Sequence, residues 1–428
     1  MRNRAIHLLA IMSLMTAVGL VAYPQGKQIV LRMWDSYVAG VENQLFVNLV
    51  AEITQKYPNI KIERNLLTHE QEQQTIKPAL TSKTGPDLIY YQPGPAYINV
   101  LAKAGLLLPL DKYADQYGWK KEIPAWIYNQ GMFRGRFYGI ASRVFFQGVY
   151  YNKKVFSDLG LKPPNSYADF LNICQTAKSK GFIPVTMNDK DQWPGFHHAA
   201  IFINAGTGRK KVEEILSGQS GWNVPEIARS LDLIKELVAK GYTTPDPNSI
   251  GFEDGNKEFY SGKSAMLLGG SWIASNIVDA IGDGKVGFFP LPPISAGMDM
   301  EPAGGLGDCM VVSSATKYPD ECALVMNEIF SDSNTKYWYQ ASILPTYSSL
   351  DVSTLNLSYT FKMIAEIAEK PMGYNLDTIL GPKCNQAIKD GVQELIAGKT
   401  TGAAVAAEMQ KGHEADVRDG LFENWLLK

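Results

Sequence analysis

Residues Gly148 to Met187, GVYYNKKVFSDLGLKPPNSYADFLNICQTAKSKGFIPVTM, read as strand, turn, helix and strand in that order. Gly148–Tyr151 has the aromatic and β-branched character of a strand. Pro163 and Pro164 make a rigid turn, and Ser166 with Asp169 has the spacing of a capping box. The helix that follows sets Phe170, Cys174 and Ala177 on its inner side, Gly181 ends it, and Ile183–Thr186 is the next strand. Strands that return after a helix imply a parallel sheet flanked by helices.

The same alternation runs upstream. Ile29–Trp34 is a short apolar strand, and Val41–Tyr57 aligns Leu45, Leu49 and Ile53 on one helical stripe before Pro58 and Asn59 stop it. Ile60–Glu63 alternates as a strand, a polar helix covers 70–81, and Pro86–Tyr91 is a third strand. Ligands on such sheets lie beyond the carboxyl ends of the strands, which puts Trp34, Asp35, Tyr91 and Gln92 at one rim. Downstream, a helix over 224–240 places Ile227, Leu231, Ile234 and Val238 together. GFFPLPP at 287–293 reads as an extended connector because of its three prolines. A strand at 304–313 and helices over 320–330, 384–397 and 403–414 complete the pattern.

The chain has 428 residues, long for one core and comfortable for two. A formal charge of −2 with 20 % charged residues creates no field for nucleic acid or an anionic membrane. Residues 1–22 read as a signal peptide: Arg2 and Arg4 precede an apolar run from Ala5 to Val21, with cleavage after Gly19 or Ala22. An uncleaved membrane anchor is the alternative. A lipid-anchored form needs a cysteine at the cut, and the first cysteine is Cys174, so the expectation is a periplasmic or secreted protein. The four cysteines form no dense framework. Cys309 with Cys322 is the one pair close in sequence; buried thiols are the preferred reading.

Catalytic patterns fail on spacing. Ser261, Gly262, Lys263 and Ser264 look like the end of a phosphate loop, but the required upstream glycine is Lys257. Gly305 and Gly307 lack the third glycine of a dinucleotide fingerprint. His197 and His198 are adjacent and point to different sides, with no third ligand nearby, so neither a metal nor a cofactor is expected. A secreted glycosidase needs two opposed carboxylates, for which Asp35, Asp87, Glu253 and Asp308 are available without any catalytic signature.

Aromatic residues carry more. Sugars present flat C–H faces that lie on indole or phenol rings, and hydroxyl rims that need forked polar partners. Trp34, Trp193 and Trp272 fall in turns after strands, where a cleft between sheets collects side chains. At Trp272, Gly269 and Gly270 permit close backbone approach, and Ser271 is placed to cap a following helix.

The opening segment, together with FYSGKSAMLLGGSW at Phe259–Trp272, resembles the extracellular solute-binding proteins, family 1, the maltose-binding-protein-like group that hands sugars to ATP-driven importers. The resemblance extends over Ile29 to Gly420 and includes Gly85, Pro86, Asp87, Gly135, Tyr138 and Gly139. It implies an α/β, two-domain periplasmic-binding-protein-like fold, each domain a mainly parallel sheet flanked by helices, with a three-segment hinge and a ligand cleft between the domains. By that analogy the first domain comprises 29–142 and 296–344, and the second 143–295 and 345–428. The chain crosses near Ala141–Arg143, Leu291–Ser295 and Leu344–Pro345. Site residues implied are Arg143 near the first crossing, the pair Gly304 and Gly305, and Asp308 as a hydroxyl acceptor. The implied function is non-enzymatic carbohydrate capture by a monomer that serves ABC permease subunits and their ATPase. A sugar-sensing receptor on the same fold is a further alternative. Ser142 and Arg143 stand where maltose-type relatives tend to be acidic, which argues against maltose itself.

Overall fold

The computed structural model describes residues 27–38, 40–295, 297–346 and 355–422. The signal peptide expected over 1–22 lies outside them. The strands are β1 (Ile29–Asp35), β2 (Ile60–Leu66), β3 (Leu88–Tyr91), a small hairpin of β4 (Met132–Phe133) and β5 (Arg136–Phe137), β6 (Gly139–Asn152), β7 (Ile183–Thr186), β8 (Ser264–Gly270), β9 (Val286–Phe289), β10 (Ala303–Val312) and β11 (Leu344–Pro345). The main sheet runs β2-β1-β3-β10-β6-β8-β7, with β9 and β11 also on β6.

The expected parallel pairs stand at the two ends of this sheet, β1 with β2 and β3, and β7 with β8. Its centre is antiparallel. There β10 returns between β3 and β6, and β8 and β9 pair with the far half of β6. The strand expected at 148–151 is therefore the tail of a 14-residue strand. The connector expected at 287–293 is strand as far as Phe289, and its prolines lie beyond the ladder.

Two large apolar clusters pack on the sheet. The first joins Leu31, Phe46 and Ile53 to Ile140, Met310 and Trp338. The second joins Phe170, Phe202 and Ile234 to Ile388 and Met409. Each is built from an early stretch and a later return, with the helix Pro319–Ile329 completing the first and the helices Pro382–Ile396 and Gly402–Arg418 completing the second.

Local signals account for most helix starts. Ser166 Oγ accepts the Asp169 N–H at 3.1 Å, while the Asp169 carboxylate takes the Asn165 N–H, so only half of the expected box forms. A full box stands instead at Thr68 and Gln71, which accept each other's backbone N–H at 3.3 and 2.9 Å. The helix Trp193–Leu216 was not anticipated, and Gly208, at φ 67°, kinks it. Ser271 does not cap the helix Ala274–Ile281; its Oγ accepts the Phe146 N–H at 3.3 Å, and a short turn of 3₁₀ helix intervenes.

All four cysteines are free and buried, and Cys309 and Cys322 belong to different apolar clusters. Burial pushes the Cys322 thiol up to about 12. A thiol reagent such as Ellman's is expected to label none of the four in the native protein and all four in denaturant. Labelling of only two after unfolding without reductant would reveal a bridge.

Candidate ligand-binding cleft

A cleft of about 480 Å³ opens between the residues around the two clusters. One wall comes from the first cluster's strands. Period-two alternation on β6 sends Arg143 and Phe145 to the cleft, and the chain leaving β1 brings Tyr37 with them. Asp308 projects from the middle of β10. Arg143 Nη2 lies 2.6 Å from Asp308 Oδ2 and its Nη1 2.8 Å from Glu42 Oε1. Asp308 also accepts from Tyr37 Oη at 3.0 Å and from Gln92 Nε2 at 2.8 Å. The guanidinium stacks over Tyr37 at 5.3 Å. Burial works against its charge, but Asp308, Tyr37 and Glu42 hold it protonated well above the usual range. Burial raises the Glu42 carboxyl, and Arg143 opposes that shift.

The opposite wall is aromatic. Trp193 and His197, one helical turn apart at the start of the helix Trp193–Leu216, face the cleft together. Asp189 fixes that start by accepting the Gly195 N–H at 2.8 Å, and Asp191 holds the next element by accepting the Phe252 N–H at 2.8 Å. Trp193 lies 4.4 Å from Phe252 and 6.4 Å from Trp272 between ring centroids. Trp272 in turn is 5.1 Å from both His197 and Phe145. A Cβ at Gly270 would fall about 1.9 Å from the Trp272 ring, so glycine there lets the indole fold back across its own backbone. Burial lowers His197 to about 4 and lowers His69 as well, so both imidazoles are neutral at physiological pH.

Five expected site residues line this cleft: Gln92, Arg143, Trp193, Trp272 and Asp308. Five do not. Asp35 is fully buried and held by Arg64 at 2.7 and 2.8 Å, where it anchors the end of β1. Trp34 packs with Tyr91 in an apolar cluster behind the rim, and Tyr91 stacks edge-on against Tyr97. Gly304 and Gly305 lie outside the lining, where an added Cβ would meet Met372 Sδ at 2.5 Å and Asn375 Cβ at 3.2 Å. The strand-end rule stopped just short: Ser36, Tyr37 and Val38, past the end of β1, line the cleft. Glu42, His69, Phe145, Phe252, Asp377 and Lys389 also line the cleft without having been singled out. Of these, only Phe145 carried a readable signal, its spacing of two from Arg143. Among the described residues no group of His, Cys, Asp and Glu is arranged to hold a metal ion. No helix among them is long and apolar enough to cross a membrane.

Residues 48–355 match the bacterial extracellular solute-binding protein family, and the chain belongs to it. An uncharacterized ABC transporter extracellular-binding protein of Pyrococcus horikoshii is 25 % identical over 56 % of this chain and 55 % of its own length, little more than half of that relative. The arabinooligosaccharide-binding protein of Bacillus subtilis is 24 % identical over 70 % of this chain and 69 % of its own. Among solved structures, a chitin oligosaccharide binding protein superposes with a TM-score of 0.82 at 22 % identity, covering 91 % of this chain and 100 % of that one. The GacH receptor of Streptomyces glaucescens superposes at 0.77 and 17 % identity, covering 92 % of this chain and 100 % of its own. These likenesses establish the two-domain periplasmic-binding-protein fold. The family binds solutes and is not enzymatic, which removes the glycosidase alternative.

Removing Arg143 leaves Glu42 and Asp308 largely buried without their counter-charge. Arg143→Met is expected to cost about 3–5 kcal/mol in urea unfolding, the range for breaking a buried pair. Burial pushes the Asp189 carboxyl up to about 8. The folded state then keeps a proton that the unfolded chain releases above about pH 4, so stability falls as pH rises from about 4 to about 8. Asp189→Asn retains the acceptor for Gly195 and is expected to flatten that decline by up to about 1.4 kcal/mol per pH unit, read from unfolding midpoints across the range.

Proposed function

We propose that the cleft captures a carbohydrate and that the domains close on it. The observation that carries this reading is the pairing of walls: indole and phenyl rings on one side, and forked, hydrogen-bonded polar groups on the other. Rings of this kind stack on the C–H faces of a sugar, while Arg143, Asp308 and Gln92 meet its hydroxyls. Trp193, Trp272, Arg143, Asp308 and Gln92 are the proposed contacts.

The proposed domains are 29–142 with 296–344 and 143–295 with 345–428, hinged where β6, the stretch before β10 and the stretch after β11 cross. A ligand that touches both walls gains contacts only when they approach, and this drives closure. The closed form is then read by the permease subunits of an ABC importer and their ATPase. Export to the periplasm or the exterior as a monomer fits this role, and the sugar-binding relatives support it.

Thermal unfolding against a panel of mono- and oligosaccharides, with chromatography of each hit, tests the reading. A bound sugar is expected to raise the midpoint and to be recovered intact. No shift across a broad panel would defeat the carbohydrate assignment. Trp272→Ala is expected to weaken binding by about 2–4 kcal/mol with the fold retained, measured by titration calorimetry beside the unfolding midpoint. Unchanged affinity would remove Trp272 from the site.

A further inference from the structure

The cleft's charge is lopsided. Seven carboxylate side chains line it against two cationic ones, Arg143 and Lys389. Arg143 is already engaged by Glu42 and Asp308. Its charge is therefore already balanced, which leaves N–H donors for hydroxyls but no net attraction for an acidic sugar. Lys389 makes no ion pair or hydrogen bond among the described residues, but it and Asp377 act on the same two histidines with opposite sign. Those histidines are neutral and add no positive charge. Glu253 is exposed, lines the same cleft as Glu42 and has no ion pair among the described residues.

The aromatic wall points the same way independently of the carboxylates. Trp193, Phe252 and Trp272 form a chain of rings that reaches Phe145 on the facing strand, with centroids 4.4 to 6.4 Å apart, and ring faces of this kind attract cations as well as C–H groups. A neutral sugar uses such a wall by stacking alone. A protonated amine uses it and also meets the excess of carboxylates in the lining.

Resting on the carbohydrate reading above, we propose that the ligand is a positively charged saccharide, an amino sugar or an oligosaccharide with free amino groups, whose ammonium sits between the aromatic wall and the carboxylates of Glu42 and Glu253. Uronic acids are rejected by the same field.

The test is titration calorimetry of the full chain with matched sets of saccharides: free-amine forms, their N-acetylated and hydroxyl counterparts, and uronic acids of the same size. The amines are expected to bind about tenfold or more tighter than their neutral counterparts, and the uronates weakest. That advantage is expected to shrink as salt is raised and in Glu253→Gln, an exposed position where the fold is retained. Equal or tighter binding of neutral or acidic sugars overturns the charge assignment and leaves carbohydrate capture standing. Absence of binding by every saccharide overturns both.

Discussion

The cleft depends on one strand. The first part of β6, as far as Gln147, pairs with β10 and its tail with β8 and β9, so one strand runs from the first apolar cluster, at Ile140, to the second, at Val149. Alternation along that strand turns Arg143 and Phe145 to the cleft and sends Val144 and Phe146 to packed surfaces. A slip of one residue would exchange the two sets and bury the guanidinium in apolar surroundings. Two glycines guard the register. A Cβ at Gly139 would come within 2.6 Å of Cys309 Sγ, and one at Gly148 within 2.5 Å of the Phe288 ring.

On this strand sits a charge network whose desolvation costs several kcal/mol per ion. It is offset because the buried oxygens are satisfied: Asp308 Oδ1 takes Gln92, and Oδ2 takes Tyr37 and Arg143. Apolar residues of similar volume would stabilise such a site at least as well. What the network supplies is orientation, since each polar head is held by another rather than by solvent. The aromatic wall is oriented by different means, through Asp189 at a helix start, Asp191 at the next and Gly270 beneath the indole. One wall is thus positioned by ion pairing and the other by backbone geometry.

Much of the fold was legible because its elements are bounded by local signals. Pro58, Gly181 and the Ser166 cap mark ends that depend on the neighbouring few residues, and those elements stand where their periodicity put them. The antiparallel centre was not legible, because the pairing of β10 with β6 joins residues some 160 positions apart and leaves no local trace. The helix Trp193–Leu216 was hidden by Pro194 and Gly195 at its start and by Gly206 and Gly208 within it. At the site, polar side chains with fork geometry and tryptophans after turns were readable by type. Asp35 was misplaced because its partner, Arg64, lies on the neighbouring strand, and a sequence does not announce which carboxylates are already taken. Tyr37 and Glu42 were missed for the complementary reason, since their partner in the fold, Arg143, is about a hundred residues away.

The four sealed thiols settle how the chain matures. With no disulfide to form, the thiols are in the same state in a reducing cytosol and in an oxidising exterior. Folding then waits on neither an oxidase nor disulfide shuffling, and its pace is governed by the long-range pairing of the central strands. A recombinant chain made in an ordinary bacterial cytosol reaches the same thiol state as one made outside it.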